Sequence, residues 1–109
     1  MLDELPDQEL FAIEFTEYVG PHGRRETVHI ERPRAVYDKA QAILAAGFHL
    51  EAEALSTGHA SFTIADRKEE VDVDIEVVPN GPGVAEAVDR MIMRFDPEAA
   101  RARILAGDA

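Results

Sequence analysis

The sequence predicts an α+β fold: a two-layer sandwich whose five-stranded, mainly antiparallel sheet carries helices on one face, in the order ββαβββαα. Three observations predict it. Several segments alternate apolar and polar residues with the period of a strand. Others carry apolar residues at helical spacing, and turns rich in glycine and proline separate them. Clean alternation puts one sheet face in water, which antiparallel sheets tolerate, so helices must cover the other.

The elements follow in order. Residues 1–8 are expected to form a loose tail, and 9–109 a single domain. In 9–19, ELFAIEFTEYV, Phe11, Ile13 and Phe15 share one face and Glu14 and Thr16 the other. GPHG at 20–23 is a turn, and 24–31 alternates again with Val28 and Ile30 inward. Pro33 opens a helix expected over about 33–46, with Val36, Ala40, Ile43 and Leu44 on its stripe and Gly47 as the left-handed residue beyond its end. Strands are expected at 48–55, 60–65 and 71–78, with STGH and the charged DRKEE as the turns between them. In the last strand Val71, Val73, Ile75 and Val77 form the expected inner row. After NGPG, Val84, Val88, Met91, Ile92 and Phe95 mark a helical stripe, and Asp96-Pro97-Glu98 starts a final short helix. If the crossover helix returns the third strand beside the first, the strand order is 2-1-3-4-5, antiparallel throughout.

Composition bounds the function. Apolar residues make up 46% of the 109-residue chain, enough for a packed core. There is no cysteine, which excludes disulfides and thiolate chemistry. The start, MLDELPDQEL, is acidic and has neither the basic nor the apolar region of a secretory signal, so a cytoplasmic protein is expected. A net charge of −11, from 22 acids against 11 bases, excludes the basic footprint that direct nucleic-acid binding needs and disfavours anionic membranes. It welcomes a basic protein partner. The same charge also serves solubility.

Strand phase sharpens this. The outer rows are expected to gather Glu14, Glu31, Glu51 and Glu53, joined by Asp72, Asp74 and Glu76 from EEVDVDIEVV at 69–78. No Lys or Arg is expected among them. Like charges on neighbouring strands cost up to about 1 kcal/mol per opposed pair, so the grouping asks for a reason. A basic surface on a partner protein supplies one. Carboxylates repeating every ~6–7 Å along a strand can imitate nucleic-acid phosphates, which suits the groove of a nucleic-acid-binding protein.

Two alternatives stand beside this. His29-Ile-Glu31 and His49-Leu-Glu51 place histidines and acids on one face, so His29, His49 and Glu51 are candidate ligands for a metal or small molecule. The other is a homo-oligomer that meets through its helices. Catalytic motifs fail: Asp72-Val-Asp74-Ile-Glu76 resembles the start of an EF-hand loop but has Val77 where glycine is obligatory, and NGPG lacks the fingerprint of a phosphate loop. No catalytic residue and no cofactor are assigned, and a non-enzymatic protein is expected.

The segments RP at 32–33, AILAAGF at 42–48, EAEALSTG at 51–58, SFTI at 61–64, NGPGV at 80–84 and AVDRMI at 87–92 resemble those of small uncharacterised proteins of phage and prophage genomes. The resemblance spans about residues 30–95 and carries no named family. It implies an accessory protein acting on a host or phage factor. Such accessory proteins include acidic inhibitors of nucleic-acid enzymes.

Overall fold

A computed structural model of the chain describes residues 9–19, 23–55 and 57–107. The tail expected at 1–8 lies outside the described residues, as do positions 20–22 and 56 of two expected turns. The elements are β1 (Leu10–Val19), β2 (Arg24–Pro33), α1 (Arg34–Ala45), β3 (Phe48–Ala54), β4 (His59–Asp66), β5 (Asp72–Pro79), α2 (Val84–Arg94) and α3 (Pro97–Leu105). This is the expected ββαβββαα order, with ends shifted by one or two residues.

The sheet runs β2-β1-β3-β4-β5, as expected. It is mixed, because β1 and β3 are parallel while the other neighbours are antiparallel. The expectation of a wholly antiparallel sheet is therefore corrected at this step. The reason is length. Pro33, where α1 departs, lies opposite Leu10 at the start of β1. Glu51 is level with Thr16, so Phe48, three residues earlier, enters beside Ile13. A helix of 12 residues rises only ~18 Å, whereas ten strand residues span ~33 Å. The chain comes back to the end it left, so β3 repeats the direction of β1.

The core lies between the sheet and all three helices. Ile13 and Phe15 of β1, Phe48 and Leu50 of β3, and Phe62 and Ile64 of β4 are buried there. They meet Val36, Ala40 and Ile43 of α1, Val88, Met91 and Ile92 of α2, and Ala100 of α3. Phe15 meets Phe62 edge-on at 5.7 Å, and Phe48 meets Phe95 at 5.1 Å. Each large side chain removed from water contributes about 1.5–3 kcal/mol. Asp96 caps α3 by accepting the N–H groups of Glu98 and Ala99 at 3.1 and 3.2 Å. Gly47 takes φ +100 beyond α1, as its position predicts.

Asp66 departs from expectation. The sequence suggests a solvated charged turn, yet Asp66 ends β4 with 0% exposure. Its carboxylate accepts the Glu69 N–H at 2.5 Å and a bond from Arg101 of α3. Burial pushes this carboxyl up, but the Glu69 N–H and the Arg101 guanidinium outweigh it and hold it below the ordinary carboxylate range. Arg101 also lies over the Phe48 ring at 4.6 Å and donates to Ala46 O at 3.0 Å. Arg67 donates to Leu44 O and Phe48 O. The last turn of α1 carries no base of its own, so Arg67 and Arg101 bring positive charge to its negative end.

A second tie holds the β2 edge of the sheet. Arg32 of β2 donates both arms of its guanidinium to Asp89 of α2, at 2.7 and 2.5 Å. That hydrogen-bonded carboxylate raises the Arg32 pKa against the opposing effect of burial. Among the described residues no helix is long and apolar enough to cross a membrane.

Candidate functional site

Residues directly opposite in a ladder share a face, so the registers fix what the uncovered side of the sheet displays. On β1 and β2, Ala12 faces Glu31, Glu14 faces His29, Thr16 faces Thr27 and Tyr18 faces Arg25. Thr16 is level with Glu51 of β3. Next, Glu51 faces Thr63, Glu53 faces Ser61 and His49 faces Ala65. On β5, Asp72 faces Ala65, Ile75 faces Thr63 and Val77 faces Ser61. The structure thus brings Glu14, Glu31, Glu51, Glu53 and Asp72 to one open face, as their alternation predicts.

Asp74 and Glu76 are not on it. Ile64 faces Asp74 while Ala65 faces Asp72, which leaves Val73 as the extra residue of a bulge. Phe62 and Ile64 belong to the core, so Glu76 and Asp74, opposite them, point to the helix side. There Arg94 of α2 holds Asp74 through Nε at 3.0 Å and Nη2 at 2.6 Å, and reaches Glu76 through Nη1 at 2.9 Å. Arg90 donates to Glu76 at 2.6 Å. The Arg90 hydrogen bond, joined by Arg94 and opposed by burial, holds the Glu76 carboxyl below its usual range. The same carboxylates raise the pKa of Arg94.

Beyond the bulge the expected inner row of β5 is reversed, while Val73 still packs against the core. Ile75 and Val77 are 49% and 53% exposed on the open face. Alternation gives a strand its period but does not reveal a bulge that inverts its phase midway. β5 is an edge strand, and its inner row overhangs the core where α2 offers guanidiniums. Acids satisfied by those cations are cheaper there than unpaired acids in a dry core. The signal was present as Arg90 and Arg94, one helical turn apart and able to reach alternate acids of a neighbouring strand.

The open face is also not free of cations. Arg25 projects onto it from β2, with its guanidinium 5.9 Å from the Tyr18 ring centre. The Tyr18 hydroxyl donates to Glu51 Oε2 at 3.4 Å, and His49 Nε2 lies 3.6 Å from the same carboxylate oxygen. Tyr18, Arg25, His49, Glu51, Glu70 and Asp72 line a polar cup of about 280 Å³ together with Ala65. That is just under the ~300–1,000 Å³ of ordinary small-molecule pockets, and it suits a single side chain.

The histidines do not meet. His29 lies 3.5 Å from Glu14 and His49 lies beside Glu51, with β1 between the two strands that carry them. Strand spacing separates their strands by ~10 Å. Among the described residues no three His, Cys, Asp or Glu side chains are placed to hold a metal ion. The candidate trio His29, His49 and Glu51 is therefore not assembled.

One feature of this face escapes sequence reading. The open row of β4 is small: Ser61, Thr63 and Ala65. Although no helix covers it, Ala65 is only 2% exposed, because taller neighbours overhang it. Glu51 and Glu53 rise on one side of this row, and Ile75 and Val77 on the other. The result is a trough with an acidic wall and an apolar wall. What it can do chemically is pair cations along one side and exclude water along the other.

Comparison of the chain with protein-family models, with curated proteins and with solved structures gave no match.

Proposed function

We propose that the chain is a non-enzymatic binding domain that engages a basic partner protein through the open face of its sheet. One observation supports this: Glu14, Glu31, Glu51, Glu53 and Asp72 share a face that no helix covers, and among the described residues only Arg25 opposes them there. No two of these carboxylates face each other directly across a ladder, but Glu14 and Glu31 are diagonal neighbours and Glu51 and Glu53 follow one another on the same face of β3, so like charge accumulates there. A partner's Lys and Arg side chains relieve that repulsion. They also steer association and make it salt-sensitive.

A cationic probe tests the reading. Oligolysine is titrated into the ¹⁵N-labelled chain at about 50 and about 300 mM salt. Shifts are expected on the open face, stronger at low salt, and are lost in the variant E51K/E53K/D72K. Shifts confined to the helix side, or equal binding by the variant, would refute the proposal. Asp74 and Glu76 are left unchanged in this test, because their guanidinium partners make their reversal a stability experiment.

A further inference from the structure

We infer that the trough along β4 receives an amphipathic basic helix of the partner, laid along the strand with its cations toward β3 and its apolar stripe toward β5. This rests on the proposal that the open face binds a basic protein, and it adds the partner's shape and pattern.

The dimensions carry the inference. Adjacent strands lie ~4.8 Å apart, so the backbones that carry the two walls stand ~10 Å apart, and a helix of ~10–12 Å diameter rests over the trough with one row of its side chains lowered between the walls. Carboxylates at Glu51 and Glu53 repeat every ~6.6 Å along β3, and helix residues i and i+4 repeat every ~6 Å. Two cations one turn apart therefore meet two acids one strand repeat apart. The small floor of Ser61, Thr63 and Ala65 lets the helix approach closely. Ile75 and Val77, both about half exposed, offer the opposite stripe an apolar contact. At the Ala65 end the cup of about 280 Å³ sets Glu51, Glu70 and Asp72 against the single cation Arg25, which leaves acids for one further basic side chain.

The edge of β5 offers a worse route. A strand added there would lay its helix-side row against Asp74 and Glu76 and the guanidiniums that hold them, and the bulge at Val73 and Pro79 would interrupt its ladder. A second copy of this chain fits the trough poorly, because it would bring acids against acids. Charge complementarity selects a cationic partner, and the apolar wall selects an amphipathic one.

Three synthetic peptides test this by calorimetry and amide shifts. One carries Leu at helical spacing flanked by Lys, the second is a scramble of equal composition, and the third replaces Lys by Glu. The patterned peptide is expected to bind at least about tenfold tighter than the scramble, with shifts along β3, β4 and β5. I75S/V77S is expected to abolish that preference while leaving the weaker binding of the scramble in place. E51K/E53K should remove binding of both Lys peptides. Thermal melts check that each variant folds, and the exposed positions of these side chains favour that. Equal binding of scramble and pattern would overturn the helix-in-trough arrangement while leaving the basic-partner proposal standing. Absence of binding by either Lys peptide would sink both. Shifts centred on the cleft that Ala46, Pro97, Ala102 and Leu105 line on the helix side, binding of the Glu peptide, or a dimer in light scattering that I75S/V77S dissociates would each overturn the inference.

Discussion

Arg101→Ala is expected to detach α3. This helix has only Ala100 buried, with Ile104 partly packed on the core, so much of its attachment depends on what Arg101 does. The guanidinium binds the carboxylate of Asp66, which has no exposure, covers the Phe48 ring and donates to Ala46 O. Removing one member of a buried pair costs about 3–5 kcal/mol, because the other charge is left in a poor environment. Two facts reduce this here. The Arg101 side chain is 32% exposed, so part of its charge is already hydrated, and Asp66 keeps the Glu69 N–H. We therefore expect about 2–3 kcal/mol, of which the lost ring contact supplies ~0.5–1. For a domain of this size that corresponds to a fall in Tm of about 8–20 °C. Urea unfolding of the wild type, Arg101→Ala, Asp66→Asn and the double variant gives the coupling directly. The double variant should cost clearly less than the sum of the singles. Hydrogen exchange should show the amides of α3 losing protection before those of β3 and β4. A loss below about 0.5 kcal/mol, or strictly additive singles, would refute the assignment of Arg101 and Asp66 as the anchor.

Other expectations follow from the same contacts. Arg94→Ala, which strips Asp74 of both bonds and Glu76 of one, should destabilise more than Arg90→Ala by urea unfolding, by roughly 1 kcal/mol. Asp66 and Glu76 both have depressed carboxyl pKa values, so their contribution is complete above the unfolded-state values near pH ~4 and is lost as pH falls through the lower folded-state values. A pH series of urea midpoints should decline in that acid window, and Arg101→Ala should flatten the decline. Gly47→Ala should cost about 1–2 kcal/mol, because φ is +100 and the new Cβ would sit 2.9 Å from Arg101 Nη2. Leu50→Ala in the core should cost about 2–5 kcal/mol, while Ile75→Ser on the open face stays within about 1 kcal/mol; equal losses would reverse the phase assigned to β5.

The parts of the fold that sequence made legible are those governed by local rules. The turn residues, the Asp96-Pro97 start of α3, the left-handed Gly47 and the inner rows of β1 and β3 all depend on neighbours within a few positions. Non-local facts were harder. The parallel step depended on how far α1 carries the chain compared with the length of β1. The phase of β5 inverts at the Val73 bulge, and the acids beyond it meet Arg90 and Arg94 only once α2 has docked. Asp66 reads as one more acid of a charged turn until Arg101, thirty-five residues later, closes on it. For the candidate site, alternation placed Glu14, Glu31, Glu51, Glu53 and Asp72 correctly. It missed the trough, because small residues on β4 acquire meaning only beside the taller rows of β3 and β5.

The parallel contact between β1 and β3 has a mechanical consequence. Its register is short, with Thr16 beside Glu51 and Glu17 beside Ala52. On one side of this seam stands a hairpin, and on the other a three-stranded meander, each zipped by its own local turns. The two blocks can therefore form early and independently, and their joining awaits closure of a long loop. Under load the sheet should part along this fault line before either block unravels. α1 packs on both sides of it, and α2 braces it with ion pairs, fastened to the hairpin by Arg32 and to the meander by Arg90 and Arg94.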